Sequence, residues 1–243
     1  MPQTFPIDEA FLLAAGLGTR MKPITDTIPK PLVQVAGVTL LDHALNALDK
    51  GGVNHTVVNV HYLADQIEAH CAKRTAPRIT ISDERAELLD SGGGVVNGLN
   101  HFASDTIFVL NADSFWVDNS RSNLTMLRDT WDPERMDMLM LLAERESAIG
   151  FDGPGDFFQN DAGQLTRRGE AETAPFAYAG AFIVKTELFD GIAEPAFSLN
   201  RQFDDALSRG RLFGQVLDGL WLHVGTPDAI PEAEAAIART QAA

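Results

Sequence analysis

The chain has 243 residues, of which 45% are apolar, and its 19 basic and 34 acidic residues give a formal net charge of −15. That apolar content can fill the core of one large α/β domain or two small ones, and it excludes disorder as the default state. The negative charge argues against nonspecific binding to nucleic acid or to an anionic membrane. Any phosphate site must therefore be a local cluster of positive charge.

Cysteine usage and the N-terminal pattern favour a cytoplasmic location. Cys71 is the single cysteine, which excludes an internal disulfide and a cysteine-rich zinc site and fits a reducing compartment. No basic segment precedes Phe11, and the apolar run that follows stops at Gly16. Neither a signal peptide nor a membrane span is therefore predicted.

Strand-like and helix-like segments alternate along the chain. The first apolar run, residues 11–15, is stopped by glycine and predicts a buried strand that enters a loop lasting to about residue 38. The other predicted strands are 56–60, 78–82, 106–111 and 138–142, and the predicted helices are 40–48, 64–71, 94–102 and 228–240. This alternation indicates a mostly parallel sheet that is covered by helices on both faces.

Residues 144–175 differ from the rest because they are polar and rich in Gly and Asp. This composition predicts hairpins or a flap rather than a packed helix. No repeat, low-complexity tract or linker interrupts the sequence, so we predict one domain over residues 1–243.

The loop after the first strand combines two glycines, an arginine and a lysine, which is typical of a phosphate-binding loop. It is not a dinucleotide fingerprint, because Met21 stands where the third glycine would be and the prolines that follow prevent an immediate helix. It is not a P-loop either, because no Gly-Lys pair precedes a Ser or Thr. A different class of phosphate site is required.

The stretch LAAGLGTRMKPITDTIPKPLVQVAG, residues 13–37, resembles the signature of the sugar-1-phosphate nucleotidyltransferases, L-A-A-G-x-G-T-R-(L/M)-x-P-x-T-x-x-x-P-K-P. The resemblance continues through VVNVHY, DSGGGVVNGL, VLNADSF, GDFF, YAGAFIV and LWLHVGTPDAI. Within the family it is strongest to the short uridylyltransferases that act on N-acetylmuramate 1-phosphate in peptidoglycan recycling. Mannose-1-phosphate guanylyltransferases and glucose-1-phosphate thymidylyl- or uridylyltransferases are the alternatives, and no C-terminal β-helix domain follows.

The resemblance implies a Rossmann-like three-layer αβα fold with a mixed, mostly parallel central sheet and a small β-rich flap. It also implies attack of a sugar-1-phosphate oxygen on the α-phosphorus of a nucleoside triphosphate, UTP being favoured, with release of pyrophosphate. Positioned cations rather than a protein nucleophile would catalyse that step. The implied catalytic residues are Arg20, Lys30 and Asp113.

The implied nucleotide site comprises the loop and a second glycine-rich segment. Its members are Ala14, Ala15, Gly16, Gly18, Thr19, Arg20, Met21, Lys30, Asn59, His61, Ser91, Gly92 and Gly93. The three glycines of DSGGG would let a flat base lie against the backbone, with amide groups reading its edge. Side chains leave little trace of such recognition, so the identity of the base stays open.

The resemblance assigns Mg²⁺ to Asp113 and to a second carboxylate before VGT, but this chain has His223 there. Imidazole is a poor ligand for Mg²⁺ and a good one for Mn²⁺, so Mn²⁺ is the alternative metal. Either Asp113 and the triphosphate suffice, with His223 bonding a phosphate or a metal-bound water, or the chain is a noncatalytic nucleotide-sugar-binding regulator.

The implied sugar-binding residues are Asn111, Asp156, Tyr178 and Gly180. A lactyl carboxylate on the sugar would require a positive or amide-rich neighbour, and Arg167 or Arg168 could supply it. The oligomeric state is not determined by the sequence.

Overall fold

The computed structural model describes residues 7–241. Its strands are β1 Glu9–Leu13, β2 Gln34–Val35, β3 Val38–Thr39, β4 His55–Val60, β5 Arg78–Asp83, β6 Thr106–Asn111, β7 Ser114–Asp118, β8 Met138–Glu144, β9 Phe157–Gln159, β10 Leu165–Arg167, β11 Phe176–Lys185, β12 Leu212–Val216 and β13 Gly219–His223. Its α-helices are α1 Leu40–Lys50, α2 Ala64–Cys71, α3 Asp90–Gly98, α4 Asn123–Thr130, α5 Asn200–Ser208 and α6 Ala229–Gln241.

The central sheet is mixed and follows the order β5–β4–β1–β6–β11–β8–β12. The strands β5, β4, β1 and β6 pair in parallel, and β11 is antiparallel to both β6 and β8. Since β8 therefore runs in the same direction as β6, the carboxyl ends of β1, β4, β6 and β8 lie at one edge. Ligand sites of open α/β sheets gather at that edge.

Apolar side chains on both faces of the sheet produce the three-layer αβα arrangement. One core cluster joins the sheet to α1, α2 and α4, and a second joins the opposite face to α3 and α5. A third cluster packs α6 against the loop of residues 21–35 and the separate β7–β13 ribbon. The resemblance predicted this fold, which the structure confirms.

Local sequence explains the best-predicted helix. In α1 the Thr39 hydroxyl accepts a hydrogen bond from the amide of Asp42 at 3.0 Å, and Gly51 follows the last residue. The residues Leu40, Leu41, Ala44, Leu45 and Leu48 are buried, as their spacing requires. The N-terminal cap, the glycine at the C-terminal end and the buried apolar face therefore all support the same helix.

Several boundaries and elements differ from the predictions. The first strand ends at Leu13, so Ala14 and Ala15 belong to the loop, and α3 begins at Asp90 rather than residue 94. The predicted strand at 138–142 lies in β8, beside the end strand β12. The β7–β13 ribbon, α4 and α5 were not predicted; these elements are short, with five residues in each strand and eight and nine in the two helices.

Across residues 7–241, no helix is long and apolar enough to cross a membrane. Cys71 lies in the first core cluster, and burial raises the pKa of its thiol to about 11. This thiol is therefore part of the packing and is protonated at neutral pH.

Candidate active site

The loop after β1 lies at the carboxyl edge of the sheet and is held in shape by Gly18. This residue has a φ of +63°, and a Cβ there would lie 2.9 Å from Lys30 Cβ. Its carbonyl accepts hydrogen bonds from the Thr25 hydroxyl at 2.8 Å and the Met21 amide at 2.9 Å. A Cβ on Gly16, by contrast, would meet nothing within 4 Å. Gly18 therefore allows the loop to pack against Lys30 and Thr25, whereas the space beside Gly16 is unfilled by protein atoms.

The loop forms one wall of a cavity of about 220 Å³. Its lining comprises Gly16, Gly18, Thr19, Arg20, Met21, Lys30, Asp113 and Gly225. A smaller adjoining pocket of about 70 Å³ is lined by Leu13, Ala14, Gly16, Lys30, Pro31, Ala112 and Asp113. Residues far apart in sequence thus form one polar recess, which brings together the three that the resemblance implies to be catalytic.

Lys30 and Asp113 form an ion pair at the base of this recess. Their Nζ and Oδ2 atoms are 2.9 Å apart, and Lys30 is only 8% exposed. A short 3₁₀ turn, Lys30–Leu32, with a proline on each side of Lys30, fixes the direction of that side chain. The pair is therefore a fixed feature of the recess rather than a surface contact.

The Asp113 carboxyl follows β6, and its pKa lies below its usual value. Burial alone would raise that pKa, but Lys30 outweighs burial, with smaller help from His223 and Arg20. Asp113 is thus a carboxylate at neutral pH, surrounded by positive charge. Such a group can hold a cation or be displaced from Lys30 by an incoming phosphate.

His223 reaches the same recess because the β7–β13 ribbon pairs it with Ser114, the residue after Asp113. Burial lowers the pKa of its imidazole, and Lys30 and Arg20 lower it further against the opposing effect of Asp113. The ring lies beside Phe151 and Trp221, with centroid separations of 6.1 and 5.8 Å. A neutral imidazole can donate one hydrogen bond and accept another.

Asp113 and His223 fit a metal that takes most of its ligands from elsewhere. No group of three or more His, Cys, Asp or Glu side chains that could hold a metal occurs within residues 7–241. Mg²⁺ is often bound by one or two protein carboxylates together with substrate phosphates and waters. Asp113 provides one such carboxylate, and a neutral imidazole suits Mn²⁺ better than Mg²⁺.

Asn59 connects the loop to the next strands. Its Oδ1 accepts a hydrogen bond from the Ala14 amide at 2.7 Å, and its Nδ2 donates to Glu84 Oε1 at 2.8 Å. His61 Nδ1 lies 2.6 Å from the carbonyl oxygen of Glu84. Asn59 and His61 therefore support the backbone around the recess.

Glu84 is a residue that the sequence reasoning did not single out. It is 2% exposed, its Oε2 has no hydrogen-bond partner, and burial raises the pKa of its carboxyl. A Cβ on Gly94 would lie 2.8 Å from Glu84 Oε1. The sequence feature that could have identified Glu84 is its position just after a predicted strand and shortly before the glycine-rich segment at the start of α3.

The glycines at the start of α3 pack closely against residues 195–199. Phe197 O accepts hydrogen bonds from the amides of Gly92 at 2.8 Å and Gly93 at 3.3 Å. A Cβ on Gly92 would lie 2.2 Å from the Phe197 ring, and one on Gly93 would lie 2.0 Å from Pro195 O. Ser91 Oγ also accepts from the Leu199 amide at 3.0 Å. The amides of Gly92 and Gly93 are thus bonded to residues 195–199, which we call the docking loop.

The flap is joined to β11 through Asp156. Its Oδ2 accepts a hydrogen bond from the Tyr178 amide at 2.8 Å, and its carbonyl accepts one from the Arg168 amide at 2.8 Å. Burial strongly raises the pKa of the Tyr178 phenol, whose oxygen has no partner. Asp156 and Tyr178 are therefore brought together at the carboxyl edge.

Gly180 lies where β11 bulges against β8. Its φ is +87°, and a Cβ there would lie 2.2 Å from Ser114 Oγ, so β11 can approach β7 only with glycine. Asn111 ends β6 and precedes Asp113 by two residues. These two positions connect the flap side of the site to the recess.

The two flap arginines are engaged within the protein. Arg167 donates to Asp204 Oδ1 at 2.7 Å and lies over the Phe157 ring, with its Cζ 5.1 Å from the centroid. Arg168 donates to the carbonyl oxygen of Ala171. The first contact joins the flap to α5, and the second lies within the flap.

Sequence comparison matches residues 10–146 to the family described as the MobA-like NTP transferase domain. The N-acetylmuramate alpha-1-phosphate uridylyltransferase of Caulobacter vibrioides is 42% identical, over 94% of this chain and 96% of its own. The Neisseria meningitidis protein of the same name is 30% identical, over 93% and 97%.

Structural comparison finds the same fold at lower sequence identity. A crystal structure of UDP-glucose pyrophosphorylase with UDP-glucose superposes with a TM-score of 0.77 at 15% identity, covering 96% of this chain and 99% of that one. At that identity the likeness shows the fold alone.

Proposed function

The chain belongs to the MobA-like NTP transferase domain family, and we propose that it transfers the uridylyl group of UTP to N-acetylmuramate 1-phosphate, releasing pyrophosphate. The observation that carries this proposal is the end-to-end likeness to the Caulobacter vibrioides uridylyltransferase. The recess supports it, because two cationic side chains and a carboxylate converge on a glycine-rich loop.

In the proposed reaction, an oxygen of the sugar phosphate attacks the α-phosphorus of UTP. A new P–O bond forms, the bond from the α-phosphorus to the bridging oxygen breaks, and pyrophosphate leaves with that electron pair. No covalent enzyme intermediate is needed, so the protein's task is to position two anions and balance their charge.

Arg20 and Lys30 are the proposed cationic partners of the phosphates. The planar guanidinium of Arg20 suits the pyrophosphate leaving group, since its fork can bond two oxygens at once. Lys30, a compact charge fixed by its 3₁₀ turn, suits the α-phosphate, where the two substrates meet. Gly16 leaves the backbone open to the approach of phosphate.

Asp113 would hold Mg²⁺, with His223 bonding a phosphate or a metal-bound water. When bound, the metal supplies charge neutralisation on the triphosphate. The Asp113 carboxylate is already ionised by its cationic neighbours, so no proton has to be lost before a cation binds.

We also propose that this reaction takes place in the cytoplasm as part of peptidoglycan recycling. The single buried cysteine is compatible with a reducing compartment. Localisation of a tagged full-length chain by cell fractionation would test the proposed compartment.

The test of the reaction is pyrophosphate release from UTP, GTP, dTTP, ATP and CTP. Each nucleotide is paired with N-acetylmuramate 1-phosphate, mannose 1-phosphate or glucose 1-phosphate, in Mg²⁺ and then in Mn²⁺. We expect the highest kcat/KM with UTP and the muramate phosphate. If another nucleotide and sugar phosphate gave the highest kcat/KM, the reaction class would stand and the proposed substrates would be rejected. If folded protein released no pyrophosphate with any pair, the nucleotide-sugar-binding regulator would be favoured.

A matched pair of lysine variants controls this experiment. Lys30→Gln removes the buried cation, whereas Lys22→Gln removes an exposed lysine of the same loop that pairs with Asp26. Turnover should fall strongly in the first variant and stay within about twofold in the second. Equal activity in both would remove Lys30 from the proposed machinery.

A further inference from the structure

This inference rests on the proposed function and concerns the carboxylate that distinguishes the proposed sugar from simpler hexosamines. N-acetylmuramate carries a lactyl ether on its ring, and the lactyl group ends in a carboxylate. Arginine binds carboxylates well, since two N–H groups of its fork can face two oxygens. Arg167 and Arg168 are engaged elsewhere, so the structure must offer another arginine if this charge is bound directly.

The arginines of residues 7–241 divide into engaged and free groups. Those that form a hydrogen bond or an ion pair of 3.5 Å or less are Arg74, Arg85, Arg121, Arg128, Arg167, Arg168, Arg201, Arg209 and Arg211. The guanidinium groups of Arg20, Arg78, Arg135, Arg145 and Arg239 form none within the described part of the chain.

Topology leaves two of these five at the carboxyl edge of the sheet. Arg78 begins β5 and Arg135 precedes β8, so both lie at the opposite edge. Arg239 lies in the last turn of α6. Arg20 lines the recess that we assign to the triphosphate. Arg145, the residue after β8, is the one that remains.

The surroundings of Arg145 connect the flap to the recess. Its amide donates to the carbonyl oxygen of Pro175 at 2.9 Å, and the next residue, Phe176, pairs with both Glu144 and Phe157. The backbone of Arg145 therefore adjoins the pairing of β9 with β11 that brings Asp156 and Tyr178 together.

In the other direction, the chain after Arg145 leads to the backbone of His223. The amide of His223 donates to the carbonyl oxygen of Ile149 at 2.9 Å, and a Cβ on Gly150 would lie 2.4 Å from His223 O. Arg145 thus stands between the flap and the segment that bears His223.

Among residues 7–241, the charge of Arg145 has no strong partner. Its side chain is 33% exposed, and the nearest carboxylate within ion-pair distance, on Glu146, lies 3.9 Å away on a side chain that is 90% exposed. An ion pair of that kind contributes little and breaks easily. A partly covered guanidinium without a fixed acceptor is ready to bind an anion.

We propose that Arg145 binds the carboxylate of the sugar substrate and so sets the preference for a sugar acid over a neutral hexosamine. Its fork bonds the lactyl oxygens while the flap residues face the ring. The phosphate end of the same sugar then lies toward Lys30. Arg145 is thus a specificity residue, separate from the groups that catalyse phosphoryl transfer.

The test compares N-acetylmuramate 1-phosphate with N-acetylglucosamine 1-phosphate, which lacks the lactyl group. Steady-state kinetics with UTP are measured for the wild type, Arg145→Gln, Arg145→Lys and the control Arg121→Gln, which changes an exposed arginine that pairs with Asp129. We expect Arg145→Gln to lower kcat/KM for the muramate phosphate by about tenfold or more, the scale of a lost charge-assisted hydrogen bond. Its kcat/KM for the glucosamine phosphate and its KM for UTP should stay within about twofold of wild type.

Each outcome decides between the two proposals. Arg145→Lys, which retains the charge without the fork, should keep an intermediate preference, and Arg121→Gln should keep the wild-type preference. An unchanged ratio of the two substrates in both Arg145 variants would overturn the role of Arg145 alone. A wild-type protein that is folded and does not use the muramate phosphate would overturn the proposed function and this inference together.

Discussion

Asp113 determines the charge balance of the recess, because its carboxylate pairs with Lys30 and is also stabilised by the charges of His223 and Arg20. The pKa of its carboxyl is lowered because those neighbours favour the ionised form. Removing it would leave Lys30 without its partner and would remove the proposed oxygen ligand for a metal.

We expect Asp113→Ala to reduce turnover by roughly 10² or more, the effect of losing a positioned electrostatic group. Pyrophosphate release measures the loss, and circular dichroism shows whether the fold is intact. Asp161→Ala, which changes an exposed aspartate of the flap, is the control. Unchanged turnover in Asp113→Ala would remove this residue from the metal site.

We propose that metal use also depends on His223. A carboxylate in its place would offer Mg²⁺ a second hard oxygen ligand beside Asp113, whereas the neutral imidazole favours Mn²⁺.

The expected result for His223→Asp is higher activity in Mg²⁺ or a preference moved away from Mn²⁺. Titrating each metal during turnover measures this, and His223→Asn separates the effect of a new carboxylate from that of losing the ring. If the metal profiles of wild type and His223→Asp are identical, position 223 lies outside the metal's ligands.

At the scale of elements, the start of α3 and the docking loop fit each other closely. Gly92 and Gly93 lie against Phe197 and Pro195, and hydrogen bonds to Phe197 O join the two segments. The resemblance implies that the base of the nucleotide lies near Ser91, and the docking loop would then help to hold the backbone of that site in place.

A double-mutant cycle tests this packing. Gly92→Ala places a methyl group into the Phe197 ring and should lower the free energy of unfolding by about 1–3 kcal/mol, the usual effect of overpacking. In the background of Phe197→Ala the same change should be much smaller, because the ring is gone. Chemical denaturation measures all four proteins, and strictly additive effects would contradict the contact.

At the scale of the whole molecule, the recess is a small positive region in a protein of net charge −15. Arg20 and Lys30 project from the loop, while Asp113 and His223 come from β6 and the β7–β13 ribbon. A nucleotide bound there would contact segments from distant parts of the chain, so its binding should stabilise the folded state as a unit.

We expect UTP at about 100 times its Kd to stabilise the protein by about 2.7 kcal/mol, which for a chain of this size corresponds to a rise in Tm of about 5–10 °C. Differential scanning fluorimetry in the presence of Mg²⁺ measures this rise. The rise should be smaller in Lys30→Gln and unchanged in Lys22→Gln. Equal rises in Lys30→Gln and wild type would contradict binding of the triphosphate at Lys30.

The sequence by itself determined the local features. Apolar runs, caps and prolines act on neighbouring residues, so α1, β4, α2 and β6 were predicted closely, and the signature of residues 13–37 indicated the family and its fold. That signature named Arg20 and Lys30, and the resemblance that continues through VLNADSF added Asp113 to the same site.

Only the tertiary structure decided which groups meet and which are already occupied. The amides of Gly92 and Gly93 bind Phe197 O, Arg167 pairs with Asp204, and Arg145 is left without a close partner. These contacts join residues from distant parts of the chain, and the β7–β13 ribbon that brings His223 beside Ser114 spans a similar separation. Local periodicity carries no information about such pairings, because they depend on how the sheet orders its strands.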